Sequence, residues 1–201
     1  LVLKSGRTAG GQAATSSHTG ALAGTHAAFR AAAKQAGAIE VDTVQSLFNG
    51  ALALSYQPLP EGNRIAILTN GGGPAALAAD ALEGAGLRLA RTSPEGQAEV
   101  RRFLHPDGQT AGPVDLLGGG DEHSFKAALS VLLRDSTCDG VLAILVPQAL
   151  VDTVAVVEAW GAAISELPGP AKPVLACLLG EASVAEAFTA AHELRIPPYT
   201  F

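Results

Sequence analysis

Apolar and polar positions alternate with two different rhythms along this chain, and the change falls near residue 60. Before it, "LVLK" reads as a short strand. "SGRTAGGQAATSSHTGALAG" (5–24) then reads as a long loop of Gly, Ser, Thr and Ala. Loops of that length inside compact domains are uncommon and often functional. Thr25 is placed to cap a helix over roughly 26–36, with Gly37 as its stop. Asp42 is placed to cap a second helix over about 43–55, in which Val44, Leu47, Phe48 and Leu52 recur at helical spacing. "YQPLPEGNR" (56–64) breaks the pattern with two prolines and a glycine, and predicts a boundary between domains at 1–60 and 61–201.

Beyond the boundary strands and helices take turns. "RIAILTN" (64–70) predicts a strand, and "GGGPAALAADALEGAG" a turn, a helix and a glycine stop. "LRLAR" is a second strand. Ser93-Pro94 opens a helix to about 104, with proline at the favoured first position. "PVDLLGGG" is a third strand and turn before a helix over 122–134. The near-continuous apolar "GVLAILVP" suits a strand covered on both faces. A helix over 152–166, the strand "PVLACLLG" (173–180), a helix over 181–192 and a final "PYTF" complete the series. Repeated βα units with right-handed crossovers make a doubly wound parallel sheet of the α/β class.

Composition agrees and excludes several classes. The chain is 48% hydrophobic but only 4% aromatic, so its core is built from Ala, Leu and Val, punctuated by 23 glycines and 12 prolines. A formal net charge of −6 offers no basic stripe for nucleic acid. No run reaches the length of a membrane span, and the start lacks a signal-peptide pattern. Cys138 and Cys177 lie in apolar, strand-like runs without metal-type spacing; they read as buried free thiols of a reducing, cytoplasmic compartment. The 201 residues contain no methionine and open on an apolar run in progress, from which we expect a piece of a longer polypeptide.

Ligands of open α/β sheets gather at the carboxyl ends of strands. Three turns qualify: "TNGGGP", "VDLLGGG" and "LLGEAS". Glycines between a strand and a helix let backbone N–H groups approach a ligand, and the positive end of the helix dipole favours an anion. A tight turn needing positive φ is the plainer account. Three consecutive glycines, Gly71, Gly72 and Gly73 after Asn70, exceed what a turn requires and point to an anion site. Gly71, Gly73 and Ala76 also fit a dinucleotide pattern; Arg88 and Arg91, where an acidic residue holds a ribose, suit the 2′-phosphate of NADP. No Gly-Lys-Ser/Thr follows, which excludes a P-loop. The other candidate is His18, set among small residues in "TSSHTGALAG" without a second ligand at metal spacing. His26, His105, His123 and His192 read as ordinary helix or loop-surface residues.

Together these segments resemble a known family. "SSHTGALAG" is similar to the phosphohistidine segment of the NDP-forming (ADP-forming) acyl-CoA synthetases and the succinyl-CoA synthetases. "KSGR", "RIAILTNGGGPAALAADAL" and "PVDLLG" match the same family in the same order. The resemblance implies that residues 1–60 are the C-terminal part of a succinyl-CoA-ligase-like flavodoxin domain carrying the phosphohistidine loop. It implies that 61–201 are a second, flavodoxin-like CoA-ligase domain. A CoA-binding domain before the chain, and an ATP-grasp domain after it or on a partner subunit, are expected. So is an oligomeric assembly.

The reaction implied is acyl-CoA + ADP + phosphate ⇌ carboxylic acid + CoA + ATP, with coenzyme A and ADP/ATP-Mg2+ bound mainly by domains outside this segment. By the same resemblance His18 is the phosphoryl carrier, and Asn70, Gly71, Gly72 and Gly73 form the end of a phosphate-binding "power helix" opened by Pro74. The partner helix and the glutamate that orients the imidazole are expected before Leu1, so the piece alone is not expected to turn over. Two positions depart from the pattern: Gly112 stands where asparagine usually precedes "PVD", and Ala75 closes a turn that often reads Ala-Gly-Gly-Pro-Gly. A regulatory, acyl-CoA-sensing region of a protein lysine acetyltransferase is the alternative, although the phosphohistidine is typically lost there. An NADP-binding domain is a minor one.

Overall fold

The computed structural model describes residues 1–19, 25–167 and 172–200, without the side chains of His18 and Thr19. The chain divides into two compact units, Leu1–Ser55 and Tyr56–Phe201.

In the first unit the predicted strand "LVLK" shrinks to one parallel bridge between Val2 and Glu40. The Val2 N–H donates to Ile39 O and the Val41 N–H to Val2 O. The long loop expected over 5–24 is largely replaced by a helix, α1 (Ala9–Thr19). Its hydroxyls do not compete with the backbone. Thr15, Ser16 and Ser17 donate back to the carbonyls of Gly11, Gln12 and Ala14 within the helix, and Thr8 Oγ1 accepts the Gly11 N–H at its start. Side chains that satisfy themselves this way remove the reason for reading Ser and Thr as loop formers. Helix α2 (His26–Gln35) starts as expected, with Thr25 Oγ1 accepting the Ala28 N–H. Glu40 accepts from both its first residue and its second turn, with Nε2 of His26 at 2.7 Å and Nε of Arg30 at 3.0 Å. Helix α3 (Val44–Tyr56) is capped by Thr43, whose Oγ1 accepts the Ser46 N–H, and not by Asp42, which pairs with Arg7 instead.

The second unit is the parallel α/β domain. Its strands are β1 (Arg64–Thr69), β2 (Arg88–Leu89), β3 (Val114–Asp115), β4 (Gly140–Leu145), β5 (Val174–Leu178) and β6 (Pro198–Thr200). Every pairing between these strands is parallel, in the order β2-β1-β4-β5-β6 with β3 beside β1. β2 pairs with the first two residues of β1 and β3 with its last two. One edge of β1 is thus shared, which shortens "LRLAR" from the five residues expected to two. The helices are α4 (Gly72–Gly84), α5 (Pro94–Arg101), α6 (Glu122–Arg134), α7 (Thr153–Ser165) and α8 (Ala185–Glu193). α5 stops short of 104 because the Arg101 guanidinium donates to the carbonyls of His105, Pro106 and Gly108 and turns the chain. The segment expected as one helix from 181 opens as a 3-10 turn (Glu181–Val184) behind left-handed Gly180.

Strand side chains alternate between two layers. Ala66, Leu68, Val141, Ala143, Leu145, Val174, Ala176 and Leu178 face the main core, with Phe125 and Leu129 of α6, Trp160 of α7 and Ala187 of α8. Phe125 and Trp160 meet edge to face, ring centres 5.6 Å apart. On the other face Ile67 and Ile144 meet Ala75, Ala78 and Leu82 of α4, the one helix on that side among the described residues. Cys138 is buried and Cys177 only half-buried, which corrects the expectation that both are buried. Burial pushes both thiols up. No helix among the described residues is long and apolar enough to cross a membrane.

The amino edge of the sheet is tied by an ion pair. Arg64 Nε and Nη2 donate to the Asp139 carboxylate at 2.9 and 2.6 Å, and the Arg64 N–H adds a third bond. The guanidinium holds the Asp139 carboxyl at about 2, below the ~3.9 of an unfolded aspartate. The unfolded chain therefore takes up the proton first. The pair stabilises the fold fully above roughly pH 4, and its contribution drains away as pH falls toward about 2. Asp139→Asn is expected to lower the denaturation midpoint at neutral pH, with the gap to wild type closing as pH falls through that window. A gap that does not change with pH contradicts the assignment.

Candidate functional site

From β1 the chain passes by α4 to β2 on one side, whereas β4 to β6 lie on the other. The carboxyl ends of β1 and β4 are therefore the switch point at which such sheets bind ligands. The turn Asn70–Gly73 lies there, as its position after the first strand implied. Asn70 is 2% exposed. Its side chain acts as a peptide substitute: Nδ2 donates to Val146 O and Oδ1 accepts the Val146 N–H, both at 2.8 Å. Its amide is engaged with Val146, so what this turn presents to a ligand is backbone.

Each glycine has its own reason. A Cβ on Gly71 would lie 2.7 Å from Val146 Cγ2, and one on Gly72 3.3 Å from Asp115 Oδ2. A Cβ on Gly73 would have nothing within 4 Å, so that glycine leaves open space at the mouth of the site. The Gly71 N–H is taken by Thr69 Oγ1 at 3.0 Å, and Pro74 has none to give. The N–H groups of Gly72 and Gly73 find no acceptor among the described residues. Helices α5, α6 and α7 are capped by the side chains of Ser93, Asp121 and Asp152, but α4 has only Gly71 at its N-cap position and no side-chain bond. An uncapped helix N-terminus with two open donors can hold an anion.

Asp115 is the neighbour that sequence reading passed over. It lies inside the "PVDLLG" segment, but nothing in a two-residue strand announces which way its side chain turns. The carboxylate is buried, accepts the Leu117 N–H at 2.9 Å, and puts Oδ2 beside Gly72. Leu117 takes a left-handed φ of 61° to make that turn, and Gly118 then passes near the Gln148 amide. A carboxylate at a helix N-terminus is favourable, and the Gly73 side of the turn stays open. Gly112, the departure before "PVD", has φ 130°, and a Cβ there would lie 2.5 Å from Ala90 O. The local backbone thus requires glycine at this position.

His18 falls on α1 of the first unit; its side chain lies outside the described residues. His26, read as an ordinary helix or loop-surface residue, is the first residue of α2 and is half-buried against Glu40. Tyr56 and Phe188 both meet His192 edge to face. His105 and His123 are exposed, as read.

Fold and turn define a doubly wound parallel α/β domain with an uncapped helix at its switch point, and comparison with known proteins gives its family. Residues 65–201 match the Ligase-CoA domain, and residues 1–54 the succinyl-CoA ligase like flavodoxin domain. The chain is 37% identical to acetate–CoA ligase [ADP-forming] I of Archaeoglobus fulgidus, over 92% of this chain and 26% of that protein. It is 36% identical to the alpha subunit of acetate–CoA ligase [ADP-forming] II of Pyrococcus furiosus, over 89% of this chain and 39% of that one. A solved structure of Ca. Korarchaeum cryptofilum dinucleotide forming acetyl-coenzyme A synthetase 1, in complex with phosphate and ADP, superposes with a TM-score of 0.89 at 33% identity. That match covers 98% of this chain and 42% of that one. The chain belongs to the ADP-forming acyl-CoA synthetase family. It spans between about a quarter and two-fifths of the length of these relatives.

The Asn70 strap makes a direct prediction. Asn70→Ala leaves the N–H and C=O of half-buried Val146 without partners, and is expected to destabilise the domain by about 1–3 kcal/mol. Asn70→Asp keeps the acceptor and loses the donor to Val146 O, and should also be destabilising. Urea denaturation of both variants checks this; a loss under about 0.5 kcal/mol for Asn70→Ala rules out the strap.

Proposed function

We propose that this chain is the central segment of an ADP-forming acyl-CoA synthetase, working as acyl-CoA + ADP + phosphate ⇌ acid + CoA + ATP through a phosphohistidine at His18. The observation that carries the reading is the pair of open donors, Gly72 and Gly73, on an uncapped helix at the switch point. They accompany, in one sequence, a histidine set in "SSHTGALAG" in the pattern of this family. Short carboxylic acids are the substrate class, following the acetate and 4-hydroxybutyrate ligases among the relatives.

The chemistry divides into three transfers. Phosphate oxygen attacks the thioester carbonyl; the C–S bond breaks and leaves acyl phosphate and the CoA thiolate. An imidazole nitrogen of His18 then attacks phosphorus, and the carboxylate departs with the electron pair of the broken P–O bond. Finally an ADP oxygen takes the phosphoryl group from His18 and restores the free imidazole. Phosphoryl transfer rests on positioning and charge stabilisation. The backbone donors of Gly72 and Gly73 supply that charge stabilisation, and Asn70 and Gly71 hold them in place.

Among the described residues no group of three His, Cys, Asp or Glu side chains gathers as metal ligands. The Mg2+ that travels with the nucleotide, the nucleotide itself and coenzyme A are assigned to the domains outside this segment. We place the enzyme in the cytoplasm as an oligomer with CoA-binding and ATP-grasp domains.

The full-length protein incubated with γ-labelled ATP is expected to acquire an acid-labile, base-stable label that His18→Ala abolishes. A label that persists in His18→Ala overturns the reading. A protein that never takes up label in the wild type is instead the acyl-CoA-sensing, non-ligating form.

A further inference from the structure

One imidazole of the first unit is held by its carboxylate as a nucleophile is held. His26 opens α2, and its Nε2 lies 2.7 Å from Oε1 of Glu40. The other oxygen of that carboxylate meets Nε of Arg30 at 3.0 Å. An ionised carboxylate only accepts hydrogen bonds, so the neutral ring carries its proton on Nε2. Nδ1 is then left with a free lone pair, and no described residue donates to it.

No other described histidine side chain shares this arrangement. His105 and His123 stand 3.6 Å from their acidic neighbours, outside hydrogen-bond reach, and both are exposed. Nδ1 of His192 is engaged by the Tyr56 hydroxyl at 3.4 Å. The surroundings of His26 also suit an anion on the ring. It is the first residue of a ten-residue helix, whose Ala28 N–H goes to the Thr25 hydroxyl. The N–H groups of His26 and Ala27 find no acceptor among the described residues. Such a terminus favours negative charge beside it. Arg30 follows one turn later, with its side chain 68% exposed.

A base or nucleophile oriented by a third group is the arrangement that covalent catalysis uses. We propose that His26 is a second phosphoryl acceptor, taking phosphate on Nδ1 from an acyl phosphate while Glu40 holds Nε2. The N–P bond forms as the bridging P–O bond breaks, and the electron pair leaves with the carboxylate. The ring keeps its Nε2 proton and becomes cationic, and Glu40 neutralises that charge, so no further acid or base takes part. The reverse step, with a carboxylate as acceptor, restores the free ring. The inference rests on the reading that this polypeptide meets acyl phosphate, and it adds a site to the one assigned to His18.

The test incubates the full-length polypeptide with phosphorus-labelled acetyl phosphate and assigns the label by mass spectrometry. An acid-labile label on His26, with phosphorus on Nδ1, is expected in the wild type and in His18→Ala alike. His26→Gln loses that label. Glu40→Gln keeps an acceptor for Nε2 but loses the charge, and should cut the label by about tenfold. His105 and His123 are internal controls, since they are exposed and lack a bonded carboxylate. Nitrogen NMR of the unlabelled protein should find the neutral His26 ring protonated on Nε2. Absence of label on His26, label on Nε2, equal label on His105 or His123, an unaffected Glu40→Gln, or a neutral ring protonated on Nδ1 each overturns the proposal. The two histidines are separable. Labelling of His18 by γ-labelled ATP with His26 bare to acetyl phosphate removes this inference alone, and labelling of His26 with His18 bare removes only the role of His18.

Discussion

Asn70 occupies the place where the parallel ladder between β1 and β4 runs out. The main chain of β1 must leave the sheet there to enter α4, and its departure would strand the N–H and C=O of Val146. The Asn70 amide replaces the missing peptide group with two bonds of 2.8 Å, donor and acceptor in the right order. The shape of the glycine turn depends on that substitution. With the strap in place, Gly71 can pass so close to Val146 that no Cβ fits, and α4 begins with its first N–H groups facing the crevice. The side chain ties the ends of β1 and β4 together and thereby sets the course of the backbone through the glycine turn.

Charge at this edge is distributed by the same constraint. Asp115 is carried beside Gly72 by a strand of only two residues, and its turn is completed by a left-handed Leu117. It supplies the negative charge a helix N-terminus attracts, and it does so from the β3 side. The open side is at Gly73. A phosphate-sized ligand reaching this turn therefore meets backbone donors on one flank and a carboxylate on the other.

Much of the parallel domain was legible in advance because its strands announce themselves. "RIAILT" and "GVLAIL" are apolar on both faces, and helix starts such as Ser93-Pro94, Asp121 and Asp152 carry their capping chemistry in the sequence. The glycine turn was legible too, since three glycines between a strand and a helix have few other uses. The misreadings share one cause. Ser and Thr in 9–19 signal a loop when each hydroxyl is taken alone, yet in α1 they bond back to their own helix carbonyls. Asp42 signals a cap, but Thr43 lies one residue nearer the first turn, and Asp42 turns to Arg7. Such choices are settled by which partner a short polar side chain can reach.

The sequence by itself determined the βα rhythm, the place of the glycine turn and the family to which the chain belongs. These rest on local periodicity and on motifs that sit within a few residues of one another. Only the tertiary structure decided that the Asn70 amide belongs to Val146, 76 residues away, and that Asp115 lies beside Gly72. It also decided that one sheet face is left half-covered. Those outcomes depend on which strands become neighbours, and strand order is fixed by packing helices on both faces of the whole sheet, which no local stretch of sequence encodes.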